Sequence, residues 1–204
     1  MATQKYIAVA GNIGAGKSSL IDFLCSEYSV KPFFEQNDNN PFFGLFYKNM
    51  KRWAFHSQMF FLTQKFKSQL ELQKAKGTVI QDRTIYEDAE IFAHNLYVQK
   101  HMSKEEYNTY SDLYQSILRT IRPPDLLIFV DCSVKTLLKR IEKRGRDSEQ
   151  SIPLDYLKGL HRSYRKWIKA YSHSPVLVYS SEKIDYLSDF VHRHDLLQKI
   201  EKYL

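Results

Sequence analysis

The stretch Gly11-Asn12-Ile13-Gly14-Ala15-Gly16-Lys17-Ser18 decides the fold of this chain. It fits the pattern G-x-x-x-x-G-K-[ST], in which a glycine-rich loop cradles the phosphates of a nucleotide. Residues 6–10 before it have the composition of a buried strand, and residues 18–24 after it begin an amphipathic helix. Because a strand, this loop and a helix in that order are the context that the motif requires, the segment predicts a phosphate-binding loop.

The residue types of this loop suit ATP and Mg²⁺. Glycines permit backbone conformations that bring amide groups close to phosphates. Lys17 supplies positive charge for the β- and γ-phosphates, and Ser18 supplies a hydroxyl to the metal. We therefore predict ATP and Mg²⁺ as cofactors. The predicted ATP-binding residues of this segment are Gly11, Asn12, Ile13, Gly14, Ala15, Gly16, Lys17, Ser18 and Ser19.

The composition is that of one compact unit. The 204 residues are predicted to form a single domain, 1–204. The formal net charge is +7, from 30 Lys and Arg against 23 Asp and Glu. The basic residues are spread along the chain, so a polyanionic nucleotide explains the charge better than a nucleic acid, and we expect no nucleic-acid partner.

Location is predicted from three features. No apolar run approaches the length of a membrane span, and no basic-then-apolar leader precedes the first strand. Cys25 and Cys132 fit no metal spacing and lie in apolar surroundings, which predicts buried free thiols. We therefore expect a cytoplasmic protein without a membrane partner.

Strands and helices alternate along the chain. The predicted strands are residues 6–10, 30–35, 78–82, 125–131 and 175–179. The predicted helices are residues 18–24, 41–49, 51–74, 85–99, a helix that begins at Ser103 with Glu106 in a capping box, and residues 134–143, 153–170 and 187–203. This order predicts an α/β fold with a parallel sheet covered on both faces. Ligands then bind at the carboxyl ends of the strands, where Glu35, Asp82, Arg83 and Asp131 are found.

Two further motifs narrow the choice of phosphoryl acceptor. Residues 82–88 are D-R-T-I-Y-E-D, and residues 144–157 are R-G-R-D-S-E-Q-S-I-P-L-D-Y-L. With these motifs the chain resembles the deoxyribonucleoside kinase family, which includes deoxycytidine, deoxyguanosine and bacterial deoxyadenosine kinases. The resemblance extends from the phosphate loop to about Trp167. It implies the P-loop kinase fold, with a five-stranded parallel sheet and an arginine-rich lid at about residues 140–151.

The resemblance also implies roles in catalysis. Glu35 is the expected general base for the 5′-hydroxyl of the substrate. Arg83 is expected to contact the 5′-oxygen and to stabilise the transferring phosphoryl group; its alternative is a structural ion pair with Asp82 or Glu35. Asp82 is expected to bind Mg²⁺ together with Ser18. The remaining expected catalytic residues are Lys17, Arg140 and Arg144, and Arg146 joins the two lid arginines in binding ATP.

The nucleoside is expected to contact the long helix and the lid. Gln58 and Asp88 would bind the base, and Asp88 favours an exocyclic amino group because a carboxylate only accepts hydrogen bonds. Relatives usually have an arginine where this chain has Lys65, which cannot form a bidentate fork. Further expected substrate contacts are Tyr47 and Glu149 at the sugar 3′-hydroxyl, and Trp53, whose alternative is an ordinary core position.

These features favour an ATP- and Mg²⁺-dependent kinase for the 5′-hydroxyl of deoxyribonucleosides. The overall pattern favours deoxyadenosine and deoxyguanosine, with deoxycytidine as a further substrate, and the family implies a homodimer. One alternative is a nucleoside monophosphate kinase, although its acceptor phosphate would favour cations over Glu35 and Asp88. Another is a non-catalytic structural or nucleic-acid-binding protein, against which the intact loop argues.

Overall fold

The fold is built on five parallel strands. A computed structural model describes residues 4–35, 39–146, 149, 151–182 and 188–204. The strands are β1 Lys5–Ala10, β2 Val30–Phe33, β3 Thr78–Asp82, β4 Leu126–Asp131 and β5 Val176–Ser180. They lie in the order β2-β3-β1-β4-β5, and each neighbouring pair is parallel. The predicted five-stranded parallel sheet is therefore confirmed, although β2 ends before Glu35.

Helices connect the strands. They are α1 Lys17–Glu27, α2 Phe43–Lys48, α3 Met50–Lys74, α4 Ile85–Glu87, α5 His94–Val98, α6 Lys104–Leu118, α7 Val134–Arg144, α8 Leu154–Ala170 and α9 Phe190–Glu201. The capping box of α6 is present, because the Ser103 hydroxyl accepts from the Glu106 amide at 3.1 Å and the Glu106 carboxylate accepts from the Ser103 amide at 2.8 Å. The last helix was expected from residue 187, which lies outside the described residues.

The prediction of one regular helix over residues 85–99 is wrong. A π-helical segment, Asp88–Ala93, separates α4 from α5. The segment contacts α3, α6 and α8, so Glu90 is the one residue in it that is exposed. A helix that is covered on nearly all sides has no polar face, so its sequence shows no regular alternation of polar and apolar residues. Without that alternation, the extra residue of a π turn cannot be detected from the sequence.

Two apolar cores lie on opposite faces of the sheet. Tyr6 and Ala8 of β1 belong to one core, and Ile7 and Val9 belong to the other, as the alternation of a strand requires. Both cysteines are free thiols, but only Cys132 is buried; Cys25 is half-buried, so that part of the prediction is wrong. Among the described residues, no helix is both long and apolar enough to cross a membrane.

Candidate active site

The 11–18 loop lies at the carboxyl end of β1 and leads directly into α1. A Cβ at Gly11 would lie 2.8 Å from the carbonyl oxygen of Val130 on β4, so this position has no room for a side chain. Gly16 has φ +100° immediately before Lys17, the first helical residue, and this conformation favours glycine. The loop therefore brings its backbone to the amino end of α1, where the helix dipole attracts anions.

Lys17, Ser18 and Asp82 come together beside this loop. The Ser18 hydroxyl donates to Asp82 Oδ2 at 3.2 Å, and Lys17 Nζ lies 3.9 Å from Asp82 Oδ1. Asp82 Oδ1 is buried and accepts no hydrogen bond from the part of the chain that the structure describes. A hydroxyl and a carboxylate with a spare oxygen are ligands that Mg²⁺ accepts alongside substrate phosphates. These two side chains therefore fit a magnesium ion.

Glu35 and Arg83 form an ion pair at the carboxyl ends of β2 and β3. Arg83 Nη1 lies 3.2 Å from Glu35 Oε2, and the two side chains are 9% and 10% exposed. The guanidinium carbon lies 4.3 Å from the centroid of the Phe92 ring. Burial lowers the pKa of Arg83, but Glu35 and other acidic neighbours outweigh that effect and keep the guanidinium charged. A base and a cation are therefore present at one point, shielded from water.

The backbone at Arg83 is held in an unusual conformation by Lys65. Arg83 has φ +62°, a value that non-glycine residues adopt rarely. Lys65 is a buried residue of α3, and its ammonium group donates to the carbonyl oxygen of Asp82 at 3.0 Å and to that of Arg83 at 2.9 Å. Lys65 Nζ also lies 3.9 Å from Glu35 Oε1. The Lys65 ammonium therefore supports the turn at Asp82 and Arg83 through its backbone carbonyl groups.

A cavity of about 280 Å³ extends from this ion pair. Four expected substrate residues line it besides Glu35 and Arg83, namely Tyr47, Gln58, Asp88 and Glu149. Six aromatic residues that the sequence analysis missed also line it: Phe34, Phe43, Phe46, Phe61, Phe92 and Tyr156. One of them was detectable, because Phe61 follows Gln58 by three residues and so lies on the same face of α3.

Asp88 is a buried carboxyl group with a free oxygen. The residue is 3% exposed, and its Oδ2 has no hydrogen-bond partner among the described residues. Burial raises the pKa of Asp88 to about 7, an effect that Lys65 and Arg83 oppose and Glu35 reinforces. The cavity therefore contains a polar atom available to a ligand.

Trp53 does not line the cavity. Its ring stacks on Phe42 with the centroids 5.6 Å apart, and the guanidinium of Arg52 lies 5.4 Å from its centroid. Gln58 is five positions after Trp53, which places the two side chains about 140° apart around a helix with 3.6 residues per turn. The alternative interpretation of Trp53 as a packing residue therefore fits the geometry, and the expected substrate contact does not.

The lid residues are joined by ion pairs. The Arg144 guanidinium donates to Glu149 Oε2, and Arg146 Nη1 lies 3.5 Å from Glu149 Oε1. Both arginines line the cavity of about 280 Å³ and also a second one of about 740 Å³ beside the 11–18 loop. Residues 147, 148 and 150 of the predicted lid lie outside the described residues. The described lid side chains therefore border both cavities.

Arg140 lines the second cavity and does not line the first one, which contains Glu35 and Arg83. Its guanidinium donates to the carbonyl oxygen of Ala15 at 2.9 Å, to Ser181 Oγ at 2.8 Å and to the Ser181 carbonyl oxygen at 2.9 Å. These contacts connect the 11–18 loop to the segment after β5. Arg140 lines the second cavity together with Lys17 and Ser19, and its predicted catalytic contact stays a prediction.

The family model for deoxynucleoside kinases matches residues 7–204. The chain belongs to the deoxynucleoside kinase family. It is 38% identical to a deoxyadenosine/deoxycytidine kinase of Bacillus subtilis, with 90% of this chain and 85% of that protein covered. It is also 38% identical to a deoxyguanosine kinase of Lactobacillus acidophilus, with 95% and 88% covered. The deoxynucleoside kinase resemblance seen in the sequence is thus confirmed.

The fold of this deoxynucleoside kinase matches that of a solved relative. The structure of deoxyadenosine kinase from M. mycoides with bound dATP superimposes with a TM-score of 0.84 at 30% identity, and 97% of this chain and 99% of that chain are covered. The P-loop kinase fold expected from the sequence is therefore confirmed.

Proposed function

We propose that this kinase transfers the γ-phosphoryl group of ATP to the 5′-hydroxyl of deoxyadenosine and deoxyguanosine, and also of deoxycytidine. One observation carries the proposal: a single cavity joins the Glu35–Arg83 pair, beside Lys17 and Ser18, to a buried carboxyl group at Asp88. The relatives named above are kinases of deoxyadenosine, deoxycytidine and deoxyguanosine.

The residues divide the chemistry between them. Glu35 accepts the proton of the 5′-hydroxyl, and Arg83, released from part of its ion pair, binds the charge that develops on the transferring group. Lys17 binds the phosphates from the loop side, and the lid arginines Arg144 and Arg146 neutralise them from the other side. Mg²⁺, held by Ser18 and Asp82, would supply further neutralisation of the phosphate charge.

Charge argues against a monophosphate as the acceptor. The phosphate of a monophosphate acceptor would lie beside the carboxylates of Glu35 or Asp88, and these negative charges would repel it. We further propose a cytoplasmic homodimer that binds no nucleic acid. Residues 85–99 and α8 would form its interface, where Val98 is 61% exposed; a monomer mass in light scattering would contradict the dimer.

An ADP-release assay with Mg²⁺ and ATP tests the proposal. The acceptors are deoxyadenosine, deoxyguanosine, deoxycytidine and thymidine, with the four matching monophosphates as controls. We expect turnover of the three nucleosides that carry an exocyclic amino group and weak or no turnover of thymidine. Efficient turnover of a monophosphate with none of any nucleoside would overturn the proposed function, whereas rapid turnover of thymidine would overturn only the role of Asp88.

A further inference from the structure

One buried carboxylate of the 82–88 motif has no role in the chemistry described so far. Glu87 is fully buried, with 0% exposure. Its Oε1 accepts a hydrogen bond from the Gly11 amide at 3.1 Å and another from the Tyr164 hydroxyl at 2.8 Å. Its Oε2 accepts from the Thr84 amide at 2.7 Å and from the Thr84 hydroxyl at 3.1 Å. Arg83 Nε lies 3.9 Å from Oε1.

These contacts connect three segments of the site. Gly11 begins the loop that faces the phosphoryl donor, and Arg83 belongs to the acceptor side. Tyr164 lies on α8, the helix that follows the lid. A single side chain therefore sets the relative position of the loop, the arginine and the helix behind the lid.

The arrangement requires a carboxylate in particular. Each oxygen of Glu87 faces one backbone N–H, that of Gly11 on Oε1 and that of Thr84 on Oε2. A backbone amide can only donate, so both partners need an acceptor, and an ionised carboxylate provides two. A glutamine has one acceptor oxygen, and its NH₂ group would point at one of the two amides. On balance burial raises the pKa of Glu87, although Arg83, Lys17 and the hydrogen bonds from Thr84 and Tyr164 lower it. The four donors around its two oxygens are what the ionised form satisfies.

We propose that Glu87 is a positioning residue, which holds the donor loop at Gly11 and the acceptor arginine Arg83 in the register needed for phosphoryl transfer. The inference rests on the proposed function. A small shift between donor and acceptor is sufficient to lower a rate greatly, because reaction requires the reacting atoms to be aligned within a fraction of an ångström.

The chain offers a matched control in Glu90. This carboxylate lies in the same helical stretch and accepts from the Tyr114 hydroxyl at 2.6 Å and from Trp167 Nε1 at 2.7 Å. Neither donor belongs to the donor loop or to the acceptor side. Glu90→Gln is therefore the same chemical change as Glu87→Gln, made at a site that only joins helices.

Steady-state kinetics of the two variants test the proposal. For Glu87→Gln we expect kcat to fall roughly 30-fold or more, while the KM values for ATP and for deoxyadenosine change less than about threefold. For Glu90→Gln we expect kcat within about twofold of the wild-type value. Equal kcat values for the two variants, measured well below their melting temperatures, would overturn the proposal.

A double-mutant cycle separates positioning from general stability. Arg83→Lys removes the Nε–H group that faces Glu87 and keeps a positive charge. If Glu87 acts partly through Arg83, the loss of kcat caused by Glu87→Gln is at least about threefold smaller in the Arg83→Lys background than in the wild type. Fully additive losses would contradict the proposal.

Hydrogen exchange of the Gly11 amide gives a readout that does not depend on any substrate. We expect this amide to exchange about tenfold faster or more in Glu87→Gln than in the wild type and in Glu90→Gln, because it has lost its buried acceptor. If Glu87→Gln does not fold, Glu87→Asp shortens the side chain by one methylene, so that its carboxylate cannot reach the Gly11 and Thr84 amides together, and faster exchange at Gly11 is expected there too. Unchanged exchange in the variant that folds would overturn the proposal, while absent nucleoside turnover in the wild type would overturn only the proposed function.

Discussion

The donor side and the acceptor side of the candidate site are built in different ways. The donor side is one continuous segment, the 11–18 loop, which leaves Ser18 exposed at the start of α1. The acceptor side is largely buried and takes its side chains from the segment after β2, α2, α3, β3, the π-helical segment, the lid and α8. On the proposed function, ATP, a ligand of many proteins, would contact local backbone, whereas the nucleoside, which distinguishes this kinase, would contact side chains that the whole fold brings together.

This difference predicts how substitutions act on the two sides. A change on the donor side affects ATP and Mg²⁺ and lowers turnover of every nucleoside by the same factor. A change at the base end of the acceptor cavity alters one nucleoside relative to another. The following predictions test that separation, beginning with the residues at the boundary between the two sides.

The largest effect is expected for Glu35→Gln combined with Arg83→Ala. The double variant lacks both the base and the cation of the acceptor side, so we expect kcat to fall by roughly 10⁴-fold or more for every nucleoside. Binding of an ATP analogue, measured by fluorescence, is expected to stay within about threefold of the wild-type value. A nearly normal rate in the double variant would contradict the roles of both residues.

A smaller effect is expected for Ser18→Ala on the donor side. Loss of the hydroxyl removes one predicted ligand of Mg²⁺, so the Mg²⁺ concentration for half-maximal rate should rise roughly tenfold or more. The factor should be the same for deoxyadenosine and deoxycytidine. The control is Ser26→Ala on the same helix, whose hydroxyl donates to the Phe23 carbonyl oxygen. An unchanged Mg²⁺ requirement in Ser18→Ala would show that the metal is bound elsewhere.

The smallest effect concerns base preference and pH. Because the pKa of Asp88 is about 7, its carboxyl group is mostly protonated at pH 6 and mostly ionised at pH 8. The ionised form accepts a hydrogen bond from the amino group of adenine, and the protonated form donates one to an oxygen of thymine. The ratio of kcat/KM for deoxyadenosine to that for thymidine should therefore rise at least about tenfold from pH 6 to pH 8.

Asp88→Asn is the control for this pH effect. An amide at this position does not titrate, so the same ratio should stay constant over the pH range. The other charged or titratable groups near Asp88 are Glu35, Lys65, Arg83, Glu87 and Tyr110. A ratio that rises equally in the wild type and in Asp88→Asn would assign the titration to one of these groups.

The sequence predicts the donor side well because its determinants are local. The loop motif specifies its own strand and helix, and alternation of strands and helices predicts the parallel sheet. Glu35, Arg83, Gln58 and Asp88 were expected in one site, and all four line one cavity. Their residue types carry chemistry, and their positions follow strands or lie on one helix.

The aromatic wall and the supporting residues could not be predicted in the same way. Phe43 and Phe46 lie on a short helix whose position depends on tertiary packing. Arg140 and Lys65 are cations whose contacts with backbone carbonyl groups of the protein no sequence pattern revealed. A sequence shows that a cation is present, but only the folded chain shows which acceptor it reaches first.

The π-helical segment has a consequence for how this chain tolerates insertions and deletions. Asp88 and Phe92, at its two ends, face the cavity, whereas Glu90 binds Tyr114 and Trp167 on the opposite side. A single-residue deletion inside the segment would remove the extra residue of its wider turn and leave α4 and α5 in register, whereas a deletion in the α-helical residues around it would rotate everything after it by about 100°. Residues of α5 would then lose their partners, although no side chain of the cavity had been replaced. The number of residues in this stretch thus matters to the cavity as much as their identity does, and the π turn is where a residue can be lost with the least displacement of the rest.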